Sequence, residues 1–152
     1  MLVYVAGPLF NQMELERNAK VAAWLRQIGF DVYLPQTDVG VTYDLIDHHD
    51  KTAVRSRIFR KDEEAIRSAD IVLCLLDGRV PDEGTCVELG MAYALGKICV
   101  GLKTDKRAMD INGDNNVMID GCLHAGVARS LDELERMLTQ LKTEPPQAGR
   151  LS

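Results

Sequence analysis

The four cysteines of this chain, Cys74, Cys86, Cys99 and Cys122, never fall at Cys-x-x-Cys spacing, which excludes the usual zinc and redox motifs. Cys74 and Cys99 lie in apolar runs and read as small core residues, and all four are expected as free thiols in a reducing cytosol. No Gly-x-Gly-x-x-Gly follows the first strand-like run, and no Gly-x-x-x-x-Gly-Lys occurs. Dinucleotide and triphosphate binding therefore have little support, and no cofactor is expected. No basic surplus exists: the net charge is −5, which argues against a nucleic-acid polymer as main partner. No apolar run approaches bilayer length and no basic leader precedes Met1-Leu-Val-Tyr-Val, so a cytoplasmic protein without a membrane is expected. His48-His49 has no acid or cysteine at a spacing that would complete a metal site, so no metal is expected and a solvated loop is the simpler reading. Repeats, linkers and low-complexity segments are missing too, which leaves one domain, residues 1–143, and a flexible tail, 144–152.

What is present is an alternation of short β-like runs and helix-like segments. It predicts an α/β fold with a doubly wound, five-stranded parallel sheet of flavodoxin-like order. Strands are expected at Leu2 to Ala6, Asp31 to Leu34, Ile71 to Leu76, Ile98 to Leu102 and, more weakly, Cys122 to Val127. Helices are expected from about Met13 to Ile28, Val54 to Ser68 and 85 to 95, with a last one capped by Ser130 and Glu133 as a capping box. Two long irregular loops, 36 to 53 and 103 to 121, separate them; loops of that length are more often functional than ornamental. In such sheets ligands bind beyond the carboxyl ends of the strands, at the switch point between the first and third. The loops Ala6-Gly7-Pro8 and Asp77 to Gly84 both leave those ends.

Three acids stand out against this frame. Glu88 is the only charged residue between Glu83 and Lys97, and a lone carboxylate in an apolar helix is costly to bury without partners or a task. Two readings of it stand side by side. Thr85-Cys-Val-Glu88 fits a capping box, in which the glutamate folds back onto Thr85. Alternatively Glu88 points into the cleft as a nucleophile, kept ionised by the helix N-terminus. Asp82, six residues earlier, is either a loop acid near the helix dipole or the proton donor or anchor for a leaving group. Asp62 falls on the apolar stripe Val54, Ile58, Ala65, Ile66, Ala69 of its helix; a buried aspartate bonded to backbone is the alternative. Paired carboxylates of this kind suit glycosyl transfer, one attacking the anomeric carbon while the other handles the leaving-group proton. Tyr4 is a core tyrosine or the residue that orients Glu88. Gly7 permits close approach of a ligand or simply makes a turn. The acids around 77 to 83 would repel phosphate, only partly offset by Arg79, and so favour an uncharged nucleoside.

Tyr4-Val-Ala-Gly-Pro-Leu-Phe10, with Asp82-Glu-Gly-Thr-Cys-Val-Glu88-Leu-Gly-Met-Ala-Tyr-Ala-Leu-Gly-Lys97, resembles the nucleoside 2-deoxyribosyltransferase family over about residues 2 to 128. The second motif is fairly specific; the first is shared with related N-glycosidases. The resemblance implies a flavodoxin-like fold and a homo-oligomer with active sites shared at subunit contacts. It implies transfer of 2-deoxyribose between nucleobases through a covalent deoxyribosyl-enzyme, with a 2-deoxynucleoside and a free nucleobase as partners. Glu88 looks like the family nucleophile, Asp82 and Asp62 like the aspartates that contact and protonate the base, and Tyr4 like the tyrosine that holds the nucleophile. Asn116, in Asn-Val-Met, is placed on the asparagine that a neighbouring subunit lends to the sugar; a turn asparagine stays open beside it. Gln36 is placed against the base, with a solvated loop residue as the alternative. Three rivals are a hydrolase of the same fold, a nucleoside 5′-monophosphate N-glycosidase with Arg55, Arg57 and Arg60 as phosphate ligands, and a non-catalytic binding module.

Overall fold

The computed structural model describes residues 1–39, 50–107 and 115–143. His48 and His49, and the expected tail 144–152, lie outside the described residues. Five parallel strands run in the order β2-β1-β3-β4-β5: β1 Leu2–Ala6, β2 Asp31–Tyr33, β3 Ile71–Leu75, β4 Ile98–Leu102 and β5 Val127–Ala128. This is the expected flavodoxin-like α/β sheet. The central strands β1 and β3 are apolar almost throughout because helices cover both faces.

Alternation along β1 divides the core. Val3 and Val5 point to the face covered by α1 (Gln12–Gln27) and α6 (Leu131–Thr143), where Leu25, Leu134 and Leu138 are buried. Tyr4 and Ala6 point to the other face with Val72, Cys74 and Cys99, under Ile66 of α3 (Lys51–Ser68) and Leu89 of α4 (Glu83–Ala94). That second face carries the candidate site. Tyr4 and Tyr33 are register neighbours on β1 and β2, so both rings stand on it.

Several boundaries differ from expectation, each for a local reason. Helix α3 starts at Lys51 because Asp50 Oδ1 accepts from the Thr52 N–H. A short helix, α2 (Pro35–Asp38), occupies the start of the loop expected from 36, with proline in its first turn. The fifth strand, expected at Cys122 to Val127, is present but shorter and shifted toward the C-terminus. Val117–Cys122 is instead a helix, α5, capped by Asn116, and the strand is confined to Val127–Ala128 after Gly126 at φ +96°. A short apolar run does not by itself distinguish a strand from a helical turn. Ser130 Oγ does accept from the Glu133 N–H at 3.2 Å, while the Glu133 carboxylate reaches back to the Arg129 N–H at 2.7 Å.

Candidate active site

Helix α4 is capped by Asp82, not by Thr85. Asp82 Oδ2 accepts from the Thr85 N–H at 2.8 Å and from its hydroxyl at 3.2 Å. Thr85 lies inside the helix and is buried. The capping-box alternative for Glu88 therefore fails, because the orphan amides it would serve already have Asp82. Glu88 turns to the sheet instead, and its Oε1 accepts from the Tyr4 hydroxyl at 2.6 Å. Tyr4 is fully buried, and burial with the Glu88 charge beside it drives its pKa far up, so it stays a donor.

The protonation of Glu88 differs from expectation. It sits in the second turn of α4, beyond the short reach of the helix terminus. Burial pushes its pKa up to about 8; the Tyr4 bond pulls down, while the charges of Asp62 and Asp82 add to the rise. Asp62, half-buried on α3, is raised to about 6 by burial, against the opposing pull of the Tyr33 hydroxyl and Lys61. Of its stripe, Val54, Ala65, Ile66 and Ala69 are buried and Ile58 is half-buried. Glu88 and Asp62 are both tied to this face of the sheet, by the hydroxyls of Tyr4 and Tyr33.

Tyr33 escaped the sequence reading. Its hydroxyl donates to Asp62 Oδ1 at 3.4 Å, and its ring stacks on Tyr4 with centroids 5.4 Å apart and planes 13° from parallel. The available signal was that Tyr4 and Tyr33 each stand third in neighbouring strands.

The remaining expected residues make local contacts of their own or lie exposed. A Cβ at Gly7 would sit 3.1 Å from the Leu75 side chain and 3.3 Å from Asn18 Oδ1, so the close approach it permits is by the protein itself. Gln36 is not a solvated loop residue. Its Oε1 accepts from buried Asn18 at 3.1 Å and its amide donates to the Leu15 carbonyl at 2.8 Å, which ties α2 to α1 and leaves one N–H and one lone pair for anything else. Asn116 is exposed, and its Oδ1 caps α5 by accepting from the Met118 N–H at 2.9 Å. Arg55, Arg57 and Arg60 are exposed along α3.

A second polar cluster braces the loop that delivers Asp82. Lys103, 1% exposed, donates to the carbonyls of Leu76 at 3.0 Å and Gly78 at 2.8 Å, and lies 3.3 Å from Asp105 Oδ1. Asp105 Oδ2 accepts from the Gly78 N–H at 2.9 Å. Burial would raise the Asp105 carboxyl, but Arg107, that amide and Lys103 together hold it down at about 2. Asp77 accepts from the Thr104 hydroxyl and pairs with Arg17, both at 2.6 Å. The loops leaving β3 and β4 and the start of α1 are thus bound into one unit.

Two hollows are outlined elsewhere. One of about 710 Å³ lies along a single face of α6, between Asp132 and Thr143, and one of about 340 Å³ lies beside Asp50 and Arg57. Neither touches Glu88, and the first is a shallow surface of one helix. Side-chain geometry, not cavity volume, marks the site. Among the described residues no three His, Cys, Asp or Glu side chains converge as a metal site requires, and no helix is long and apolar enough to cross a membrane.

Fold and geometry together describe a flavodoxin-like α/β protein in which two carboxyl groups, Glu88 and Asp62, meet tyrosine hydroxyls on one face of the sheet. The family model for nucleoside 2-deoxyribosyltransferase matches residues 3–124, and the chain belongs to that family. It is similar to a conserved protein of Enterococcus faecalis (29% identity, TM-score 0.77, 92% of this chain and 98% of that one). It is also similar to a 2-deoxyribosyltransferase of Bacillus psychrosaccharolyticus (28% identity, TM-score 0.72, 89% and 90%). A CMP N-glycosidase of Clostridium botulinum shares the fold at 19% identity (TM-score 0.56, 91% and 99%). No curated protein matches the chain in sequence. Family membership places the protein among enzymes that act on nucleosides and nucleobases.

Proposed function

We propose that this protein transfers 2-deoxyribose between nucleobases through a deoxyribosyl ester on Glu88. The observation that carries the reading is the 2.6 Å bond from Tyr4 to Glu88. It holds the Glu88 carboxyl away from its own helix, against the sheet face that also carries the Tyr33–Asp62 pair. In the first step a Glu88 oxygen bonds to C1′ as the C1′–N bond breaks and its electron pair stays with the base, which takes a proton. Asp82 was the expected donor, but its Oδ2 is engaged as an acceptor by Thr85. Asp62, which caps nothing and is raised to about 6 by burial, takes the acid role in place of Asp82, which serves as cap and anchor. Because Glu88 is raised further, the reacting form, with Glu88 charged and Asp62 protonated, is the minority arrangement of the proton the pair shares between the two values. An incoming base reverses the step and frees Glu88.

The site is proposed to be completed in a homo-oligomer, with Asn116 of a neighbouring copy reaching the sugar. Supporting this, Val117 and Met118 beside it are 79% and 74% exposed, and Phe10, Met13 and Val87 also present apolar surface.

Deoxyuridine or deoxyinosine mixed with free adenine should yield deoxyadenosine on chromatography. Release of free deoxyribose despite the second base would favour the hydrolase, and a preference for the 5′-monophosphate the nucleotide N-glycosidase. Binding without turnover would leave only a binding module. The pH profile of kcat/KM should be a bell with limbs near 6 and 8. Below the lower limb both acids carry protons and no carboxylate is free to attack. Above the upper limb both are charged and the departing base finds no proton.

A further inference from the structure

We propose that Tyr33 is a positioning residue for Asp62, the counterpart of Tyr4 for Glu88, and that its hydroxyl strengthens proton delivery to the departing base. This rests on the transfer reading above. The two tyrosines are neighbours in register on β1 and β2, with nearly parallel stacked rings. Each hydroxyl meets an acid on the covering helices, Glu88 on α4 and Asp62 on α3. The stack leaves the half-buried Tyr33 ring little freedom, so the direction of its O–H is set by the sheet.

The two bonds differ in length, 2.6 Å for Tyr4 to Glu88 and 3.4 Å for Tyr33 to Asp62. A long bond of this kind contributes little at rest and can tighten along the reaction. When the C1′–N bond breaks, the base nitrogen keeps the electron pair and takes the proton from the Asp62 carboxyl, which becomes a carboxylate. A hydroxyl aimed at that oxygen is worth more to the carboxylate than to the acid. Tyr33 therefore acts through Asp62, and mainly in the transition state. In the reverse step the same bond releases as Asp62 regains its proton from the incoming base.

The test compares a base that needs a proton to leave with one that does not. Suitable pairs are deoxyinosine against its N7-methylated cation, or deoxyuridine against 5-nitrodeoxyuridine, according to which base class the protein accepts. The readout is the ratio of kcat values within a pair, which does not depend on how much of a variant is folded. Tyr33→Phe should lower kcat on the first substrate about 10-fold or more and on the second less than about threefold, with KM nearly unchanged. Asp62→Asn should shift the ratio in the same direction and further, and adding Tyr33→Phe to it should shift the ratio no more. An unchanged ratio in Tyr33→Phe, or a further shift in the double variant, overturns the inference and leaves the transfer reading standing. If the unaltered protein turns over no deoxynucleoside, the transfer reading fails and this inference with it.

Discussion

Glu88→Gln is expected to lower base exchange by about 10³-fold or more while making the folded protein more stable. The amide keeps the size of the carboxylate, and its oxygen can still accept from Tyr4, but it cannot form the deoxyribosyl ester. The stability gain follows from proton linkage. Folded Glu88 holds its proton up to about pH 8, against an ordinary value of 4.5. Between those values folding takes up a proton, so its stability contribution is full below about 4.5 and is lost as pH rises toward 8. Glutamine removes that dependence. Thermal melts should show Glu88→Gln close to the parent at pH 5. At pH 8 it should be ahead by about 3–4 kcal/mol, or roughly 6–16 °C for a chain of this size. Full exchange activity in this variant, or equal melting at both pH values, would remove Glu88 from the centre of the mechanism.

Lys103→Met should produce the largest loss of stability, about 3–5 kcal/mol in denaturant unfolding. The cost lies less in the missing attraction than in what is left behind. The carbonyls of Leu76 and Gly78 lose their donor, and Asp105 loses a cation beside a mostly covered oxygen. Methionine fills the volume and satisfies none of them. Parallel strands end in outward-facing carbonyls, and the Lys103 ammonium closes two of them at the point where the chain turns toward Asp82. A variant that unfolds at the parent's midpoint would mean that water serves these groups as well as Lys103 does.

Some of this was legible in residue order alone. Leu2–Ala6 and Ile98–Leu102 were readable because apolar runs bounded by Gly-Pro or Gly-Lys leave few alternatives. Asp62 was readable because an acid on an apolar stripe violates the pattern around it. What stayed hidden depended on partners distant in sequence. Tyr33 carries meaning only through the register of β2 beside β1. Lys103 reads as the first residue of the polar run Lys-Thr-Asp-Lys-Arg, yet lies buried just past the end of β4. The Thr85–Glu88 spacing satisfies a cap pattern that Asp82, three residues earlier, had already fulfilled.

The parallel stack of Tyr4 and Tyr33 has a metric consequence. Adjacent strands are held roughly 4.8 Å apart by their backbone ladder, and rings rooted on register partners inherit that interval, here 5.4 Å between centres. Whatever accepts from the two ring tips is gauged by the same ruler. On the proposed reading, the two hydroxyls that meet Glu88 and Asp62 are spaced by the sheet itself. A distance the chemistry depends on would then be fixed by the least deformable part of the molecule, while the helices and loops around it remain free to vary.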